Sequence, residues 1–350
     1  MEQNIPVIDI NSLLQIEADH LAFNQTIQEI HAACITFGFF YVKNHGISKK
    51  LTTDLLKIGK VFFSQTLEEK LKIDMNLGGS AWRGYVPVGR ELTSDKADLK
   101  EAIYFGREEK LSNQLPLFGP NLFCQNTPSM KQVVLEYLEK IEDLCQKLLK
   151  GIFLGVLGVK YEDKVEEICS ESFNDPMILF RIFSYPHLDS SAGKAQWGVG
   201  EHTDYGFLTI LLQDHIGGLQ VKLRSSQTWV DIPSRDDCFV VNIGDMLEYW
   251  TRGVYQATPH RVSNKGKVNR ISCPFFFDPG FHSKLHQIDK ELIKANDLEL
   301  AKMNKNKRWD GLQGLDPDEL NISCYGEYLW QKVSRVFPDL AAKVSRGLQK

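Results

Sequence analysis

The segment Gly200-Glu-His202-Thr-Asp204-Tyr-Gly206 sets an imidazole and a carboxylate two residues apart. On an extended chain residues i and i+2 project to the same face, so the two donors are aimed together. A third donor, His260, follows in Ala-Thr-Pro-His-Arg-Val. Two imidazoles with one carboxylate are the facial set that suits non-haem iron(II) and leaves coordination positions open to reactants. By itself a His-x-Asp pair is a weak motif, often no more than a polar turn. Weight comes from Arg270-Ile-Ser272, just beyond His260. These two side chains also share a face, and a guanidinium beside a hydroxyl is suited to gripping a carboxylate. Alone, Arg270 would read as a solvated charge on a strand.

The elements that would carry these residues are short and β-rich. From Met177 onward the runs MILFRIFSY, GFLTILLQ, GLQVKL, WVDI, CFVVNI, YQATPHRV and RISCPFFF are separated by Gly, Pro, Asp and Ser turns, with no helices expected between them. That texture predicts a double-sheet jelly roll in preference to a doubly wound parallel sheet. The first half reads as helix-rich, with helical periodicity over residues 24–35 and 51–63 and a strand at 38–42 that ends at the turn Asn44-His45-Gly46. The longest helix is expected over 131–153, where Val134, Leu138, Ile141, Cys145, Leu148 and Ile152 make one apolar stripe. Helices return after about residue 283, the clearest over 325–337, expected on the outside of the β-core. The expected fold class is therefore α+β with a mainly β core: a double-stranded β-helix (jelly roll) with a helix-rich N-terminal region and C-terminal helices. Regions 1–125, 126–175, 176–285 and 286–350 divide it, as one compact unit, into an N-terminal region, a supporting helix with its connection, the catalytic core and a helical extension. Neither a repeat nor a low-complexity linker interrupts the chain.

Composition narrows the partners. The chain has 350 residues, 43% hydrophobic and 25% charged, with a net charge of −4. A slightly acidic surface without a large basic patch argues against nucleic acid or an anionic membrane and for a small-molecule substrate, with no obligate protein partner. The start, MEQNIPVIDI, lacks a basic n-region and a long apolar stretch, which predicts no export and a cytoplasmic location. The most apolar segment, residues 152–159, is far below the roughly 20 residues of a membrane span and reads as a buried helix end. Seven scattered cysteines, none in a CxxC pair, read as reduced thiols. His20, His31, His45, His187, His215, His282 and His286 lack a second ligand at defined spacing and read as surface or hydrogen-bonded histidines.

The order HTD, PHRV, RIS resembles the isopenicillin N synthase-like family of iron(II), 2-oxoglutarate-dependent dioxygenases. IPVIDI near the start, GFFYVKNHGI, RGYVPVGRELTSDKADLKE, RIFSYP, GGLQV and NIGDMLEYWT also resemble the family's pattern, so the likeness runs from about residue 4 to residue 285.

The resemblance implies that iron(II) is held by His202, Asp204 and His260. It implies that 2-oxoglutarate chelates the metal through its keto-acid end while Arg270 and Ser272 clamp its distal carboxylate. Tyr185 matches a position that donates to a carboxylate, and Arg181, on the same strand face, is expected to approach the co-substrate. Oxygen is the second co-substrate and ascorbate an optional reductant. Phe183 departs from the family, many plant members of which carry Asn there; the ethylene-forming bacterial relatives, which share HTDYG, are apolar too. The resemblance implies oxidative decarboxylation to succinate and carbon dioxide coupled to hydrogen abstraction from substrate. Trp82, Arg83, Tyr85, Glu91, Thr93 and Phe276 are the candidate substrate residues. Alternation puts Phe276 on the Arg270/Ser272 face and Phe275 and Phe277 in the core. Glu91 and Thr93 match positions that touch a guanidinium substrate in ethylene-forming relatives, which favours a basic, amino-acid-like substrate. Asp98 reads as a turn or cap. Two other readings stay open: a same-family iron oxidase that does not use 2-oxoglutarate, since such oxidases also keep an R-x-S pair, and a non-catalytic jelly roll that binds a small molecule. A zinc hydrolase leaves the R-x-S clamp unexplained.

Overall fold

The computed structural model describes residues 4–15, 19–93, 96–108, 115–187, 197–263, 268–304 and 322–337. The chain opens with β1 (Val7–Asp9), α1 (Asn11–Leu14) and α2 (His20–Thr36), and α2 brings β2 (Phe39–Lys43) back parallel to β1. The turn expected after β2 is made by Asn44 and Gly46, both at positive φ, where asparagine and glycine are the least strained residues. Helices α3 (Lys49–Phe63) and α4 (Leu67–Leu71) start at Ser48 and Thr66, whose hydroxyls accept the free Leu51 and Glu69 N–H groups. Four short strands follow: β3 (Gly84–Val86), β4 (Leu92–Thr93), β5 (Lys96–Ala97) and β6 (Glu101–Phe105). The longest helix, α5 (Ser129–Leu157), runs past the expected 131–153 at both ends, and its apolar end is buried as expected. After α6 (Glu162–Ser172) come β7 (Met177–Tyr185), β8 (Val199–His202), β9 (Leu208–Gln213), β10 (Leu219–Lys222), β11 (Trp229–Asp231) and β12 (Cys238–Ile243). Then follow α7 (Asp245–Trp250), β13 (His260–Val262), β14 (Arg270–Asp278), α8 (Ala295–Asn304) and α9 (Tyr325–Val336).

The strands form an eight-stranded sheet in the order β1-β2-β12-β9-β14-β7-β6-β3, a four-stranded sheet in the order β11-β10-β13-β8, and the small β4-β5 hairpin. Among the described strands every pair except β1/β2 is antiparallel. Alternation along β14 sorts the large sheet into two faces. Ile271, Cys273, Phe275 and Phe277 are fully buried toward the helical side, where Gly59 of α3 comes so close to Ile182 and Ile271 that a methyl group would crowd both. Arg270, Ser272, Pro274, Phe276 and Asp278 face the small sheet across a cavity. The two sheets are thus a jelly roll, with helices outside the large sheet and the reactive face inside.

Two expectations need correction. The region after Met177 is not free of helices: DMLEYW forms α7, all six residues buried, following Gly244. The N-terminal strands β1, β2, β3 and β6 make half of the large sheet. Strand β6 escaped notice because all five of its residues are buried, including Glu101, whose charge is paired with Lys70 at 2.6 Å and which accepts a hydrogen bond from the Tyr85 hydroxyl at 2.7 Å. Finally, α9 does not lie on the outside of the β-core. Its Leu329 and Val336 line the cavity between the sheets. Among the described residues no helix is long and apolar enough to cross a membrane.

Candidate active site

His202 ends β8 and His260 begins β13, and the ladder sets them directly opposite each other with ring centroids 4.2 Å apart. Asp204 lies in the turn after β8. Its Oδ1 is 3.8 Å from Nε2 of His202 and 3.7 Å from Nε2 of His260. One donor atom from each residue fits within 4.8 Å of the others, the separation expected of a group able to hold a metal ion. The Nδ1 atoms of the two rings lie 2.9 Å from the Gly200 carbonyl and 3.1 Å from the Thr258 carbonyl. A carbonyl only accepts, so each Nδ1 carries the proton and each Nε2 keeps a lone pair for a metal. Burial lowers both imidazoles, His260 to about 4, which keeps them neutral. Burial would raise Asp204, but His260, His202, Thr209 and Asn242 together hold it below the usual carboxylate value. Thr209 Oγ1 at 2.6 Å and Asn242 Nδ2 at 2.7 Å both donate to Oδ2, which leaves Oδ1 facing the histidines.

The trio opens into a cavity of about 500 Å³ whose lining includes Arg270, Ser272, Tyr185, Phe183, Arg181, Glu91 and Phe276. Arg270 pairs across the ladder with Tyr185, and Ser272 with Phe183. The Arg270 guanidinium is 1% exposed and lies 4.8 Å from the centre of the Tyr185 ring. Its Nη2 donates to Gln213 Oε1 at 3.0 Å, while Nε and Nη1 are buried with no partner among the described residues. Buried donors without acceptors are costly, so a cavity that holds them calls for an anion. The donor trio and these two orphaned guanidinium nitrogens fit iron(II) with a dicarboxylic keto acid.

Arg181 lines the same cavity as Tyr185 and Arg270. Its guanidinium is enclosed by the rings of Trp82, Tyr104 and Phe276 at 4.5, 4.6 and 4.8 Å, and its Nη1 is 3.8 Å from Glu91 Oε1. Glu91 is buried. Its Oε2 accepts from Tyr104 at 2.6 Å and lies 3.0 Å from the Lys100 ammonium, which also pairs with Asp98. Burial would raise the Glu91 carboxyl, yet Lys100 and Arg181 hold it below its ordinary value; burial would lower Lys100, yet Glu91 and Asp98 raise it. Asp98 is therefore one member of a buried charge network, beyond the turn or cap expected.

The remaining candidates divide. Trp82 reaches the site only as a wall of the Arg181 cage. Arg83 and Tyr85 do not line the cavity: Arg83 is pressed against Gly106 and donates to the Trp82 carbonyl, and Tyr85 serves the Glu101–Lys70 pair behind β6. Thr93 is in β4, and its side chain lies outside the described residues. Four contributors went unnoticed in the sequence. Asn242 and Gln213 are polar residues in otherwise apolar strands, a signal that a buried amide has a task. Lys100 is 3% exposed, and Asp278 is a buried cavity carboxyl that burial raises to about 6. Helix α9 is docked beneath the metal-ligand turn. Tyr328 donates to the Tyr205 carbonyl at 3.2 Å, and Lys332 lies 3.8 Å from Asp245, whose N–H donates to the Asp204 carbonyl at 2.8 Å.

A jelly roll with a His-x-Asp and His trio and an arginine–serine pair in one cavity defines a mononuclear metal oxygenase site. Residues 174–279 match the 2OG-Fe(II) oxygenase superfamily, and residues 5–126 match the non-haem dioxygenase in morphine synthesis N-terminal family. A Dictyostelium discoideum relative named "probable iron/ascorbate oxidoreductase" is 38% identical, with 98% of this chain and 97% of that one covered. A 1-aminocyclopropane-1-carboxylate oxidase of Dictyostelium mucoroides is 34% identical, with 99% and 98% covered. A homoarginine-6-hydroxylase of Glycine max is 33% identical, with 96% and 98% covered. The crystal structure of a full-length Neurospora crassa protein in complex with alpha-KG and thymine superposes with a TM-score of 0.71 at 26% identity, covering 88% of this chain and 99% of that one. The chain belongs to the isopenicillin N synthase-like family of the 2OG-Fe(II) oxygenase superfamily, and it is an iron(II)- and 2-oxoglutarate-dependent oxygenase of small molecules.

Proposed function

We propose that His202, Asp204 and His260 hold the iron, that Arg270 and Ser272 grip the distal carboxylate of 2-oxoglutarate, and that the substrate is a small basic amino acid. The assignment of roles rests on one observation above the others: Nε and Nη1 of Arg270 are buried without partners among the described residues, on the face that carries Ser272. Iron(II) bound by the trio supplies oxygen activation coupled to decarboxylation of the keto acid to succinate and carbon dioxide. The protein's part is placement. The two Nε2 lone pairs and Asp204 Oδ1 present three donors on one side, and the Asp204 carboxylate is kept from turning by Thr209 and Asn242. Leu179, Phe183, Leu211, Leu219 and Val262 keep the cavity dry around them.

The substrate class is supported by Glu91, a buried carboxylate on the cavity wall whose Oε1 is turned to the Arg181 side, with Nη1 of Arg181 at 3.8 Å. The homoarginine-6-hydroxylase relative supports the same chemistry. We also propose that the chain works as one unit with its catalytic core at 176–285, in the cytoplasm, without nucleic acid, membrane or an obligate protein partner.

Anaerobic titration of the iron(II) protein with 2-oxoglutarate, followed by the visible charge-transfer band of the chelate, tests the roles. The band should form in the wild type and weaken in Arg270→Ala. A band unchanged in that variant would remove Arg270 from the clamp. Succinate release driven by L-homoarginine or L-arginine then tests the substrate class, and no stimulation by either would reject it.

A further inference from the structure

Gln213 closes β9 directly across the ladder from Ser272. Its side chain makes two hydrogen bonds in opposite senses: Nε2 donates to the Ile232 carbonyl at 3.1 Å, and Oε1 accepts from Nη2 of Arg270 at 3.0 Å. Because the Ile232 carbonyl can only accept, the amide cannot turn over without setting its NH₂ group against a cation. Ile232 is itself tied down, its N–H donating to the Leu219 carbonyl at 2.8 Å. The neighbouring Asp214 grips the strand backbone: its Oδ2 accepts the Ile271 N–H at 2.7 Å, and its own N–H donates to the Ile271 carbonyl at 3.1 Å. Arg270 therefore has a fixed backbone, an aromatic ring along one face and one amide along one edge, while Nε and Nη1 have no partner among the described residues.

We propose that Gln213 is the positioning residue that fixes the Arg270 guanidinium, and that this fixing sets which chain length of 2-oxo dicarboxylic acid the site accepts. The proposal rests on the reading of Arg270 as the carboxylate clamp. An arginine side chain has several soft torsions, and a guanidinium free to swing meets carboxylates at several distances from the metal trio. Held at one place, it suits one length. Gln213 does not itself line the cavity, so its effect passes through Arg270.

The test uses the full chain loaded anaerobically with iron(II) and titrated with 2-oxoglutarate or with 2-oxoadipate, one methylene longer, in wild type, Gln213→Leu, Gln213→Glu and Arg270→Ala. Loss of a hydrogen bond to a charged group should weaken 2-oxoglutarate binding by about tenfold in Gln213→Leu, with iron binding unchanged. The ratio of the two dissociation constants should move toward one, a change that general loosening of the fold would not produce. Gln213→Glu should weaken 2-oxoglutarate further, because its carboxylate occupies the guanidinium. Gln213→Asn, which keeps the amide but shortens it, provides the same ratio if the leucine variant fails to fold. A wild-type ratio in the folded variants overturns the proposal. If Arg270→Ala weakens binding while the Gln213 variants do not, only the role of Gln213 fails; if Arg270→Ala has no effect, the clamp reading fails with it.

Discussion

Asn242 stands directly opposite Thr209 in the β9/β12 ladder, and both side chains donate to the same oxygen of Asp204. The carboxylate is thereby divided into a tethered oxygen and a free one. Removing an outer partner of this kind typically weakens metal binding by about 10–100-fold. Asn242→Leu should show a loss of that order in anaerobic iron(II) titration, with Thr209→Val similar and the pair less than additive. Unchanged affinity in both would mean that Asp204 is oriented by its backbone alone.

Gly206 lies against the Asp278 carboxylate so closely that a Cβ there would overlap it, while the next residue, Phe207, donates its N–H to Asp278 Oδ1 at 2.8 Å. Gly206→Ala should displace the turn carrying Asp204 and cost about 1–3 kcal/mol of stability through overpacking. Iron content after anaerobic loading should fall more steeply than thermal stability. Full iron occupancy in the alanine variant would contradict this account of the turn.

Asp278 also predicts a pH dependence. Burial raises its carboxyl from 3.8 to about 6, so between those values the folded state binds the proton more tightly than the unfolded one. Its contribution is fully present below about pH 4 and is lost as pH rises through 6. The shift corresponds to about 3 kcal/mol. Asp278→Asn should therefore gain on the wild type between pH 4 and pH 7 in denaturant unfolding of the metal-free protein, and a constant difference across that range would refute the assignment.

Glu91 has one oxygen committed to Lys100 and Tyr104 and the other turned to the Arg181 side of the cavity. Glu91→Gln keeps the shape and the Tyr104 bond. For L-homoarginine it should raise KM by roughly tenfold or more, the effect of losing a charge-assisted hydrogen bond, with a smaller change in kcat. An unaltered KM would move the substrate's cationic end elsewhere.

Much of this arrangement could be read before any coordinates, because strand alternation turns spacing into direction. Arg270 and Ser272, and the opposite fates of Phe276 and Phe275, follow from period two, whereas Asp204 meets His202 from the turn beyond the end of β8. What could not be read was pairing at a distance. Arg83 and Tyr85 looked like pocket residues because they belong to the 82–98 segment expected to wall the pocket, but β3 pairs with β6, which leaves Arg83 against Gly106 and the Trp82 carbonyl and Tyr85 on Glu101. Lys100 and Asp98 gave no sign of burial, since a charge reads as solvated until its partners are known. The helix expected over 325–337 reads as one on the outside of the β-core, because Leu329 and Val336 would suit a hydrophobic core as well as a cavity wall.

The position of α9 orders the events of synthesis. The three donors are complete once residue 260 has been made and the arginine–serine pair once residue 272 has, whereas the wall formed by Leu329 and Val336 comes more than fifty residues later. A chain still leaving the ribosome thus owns every metal donor before it owns a closed cavity. Iron that arrives at that stage would meet water and dissolved oxygen without the wall that α9 supplies, so productive loading belongs after α9 has docked.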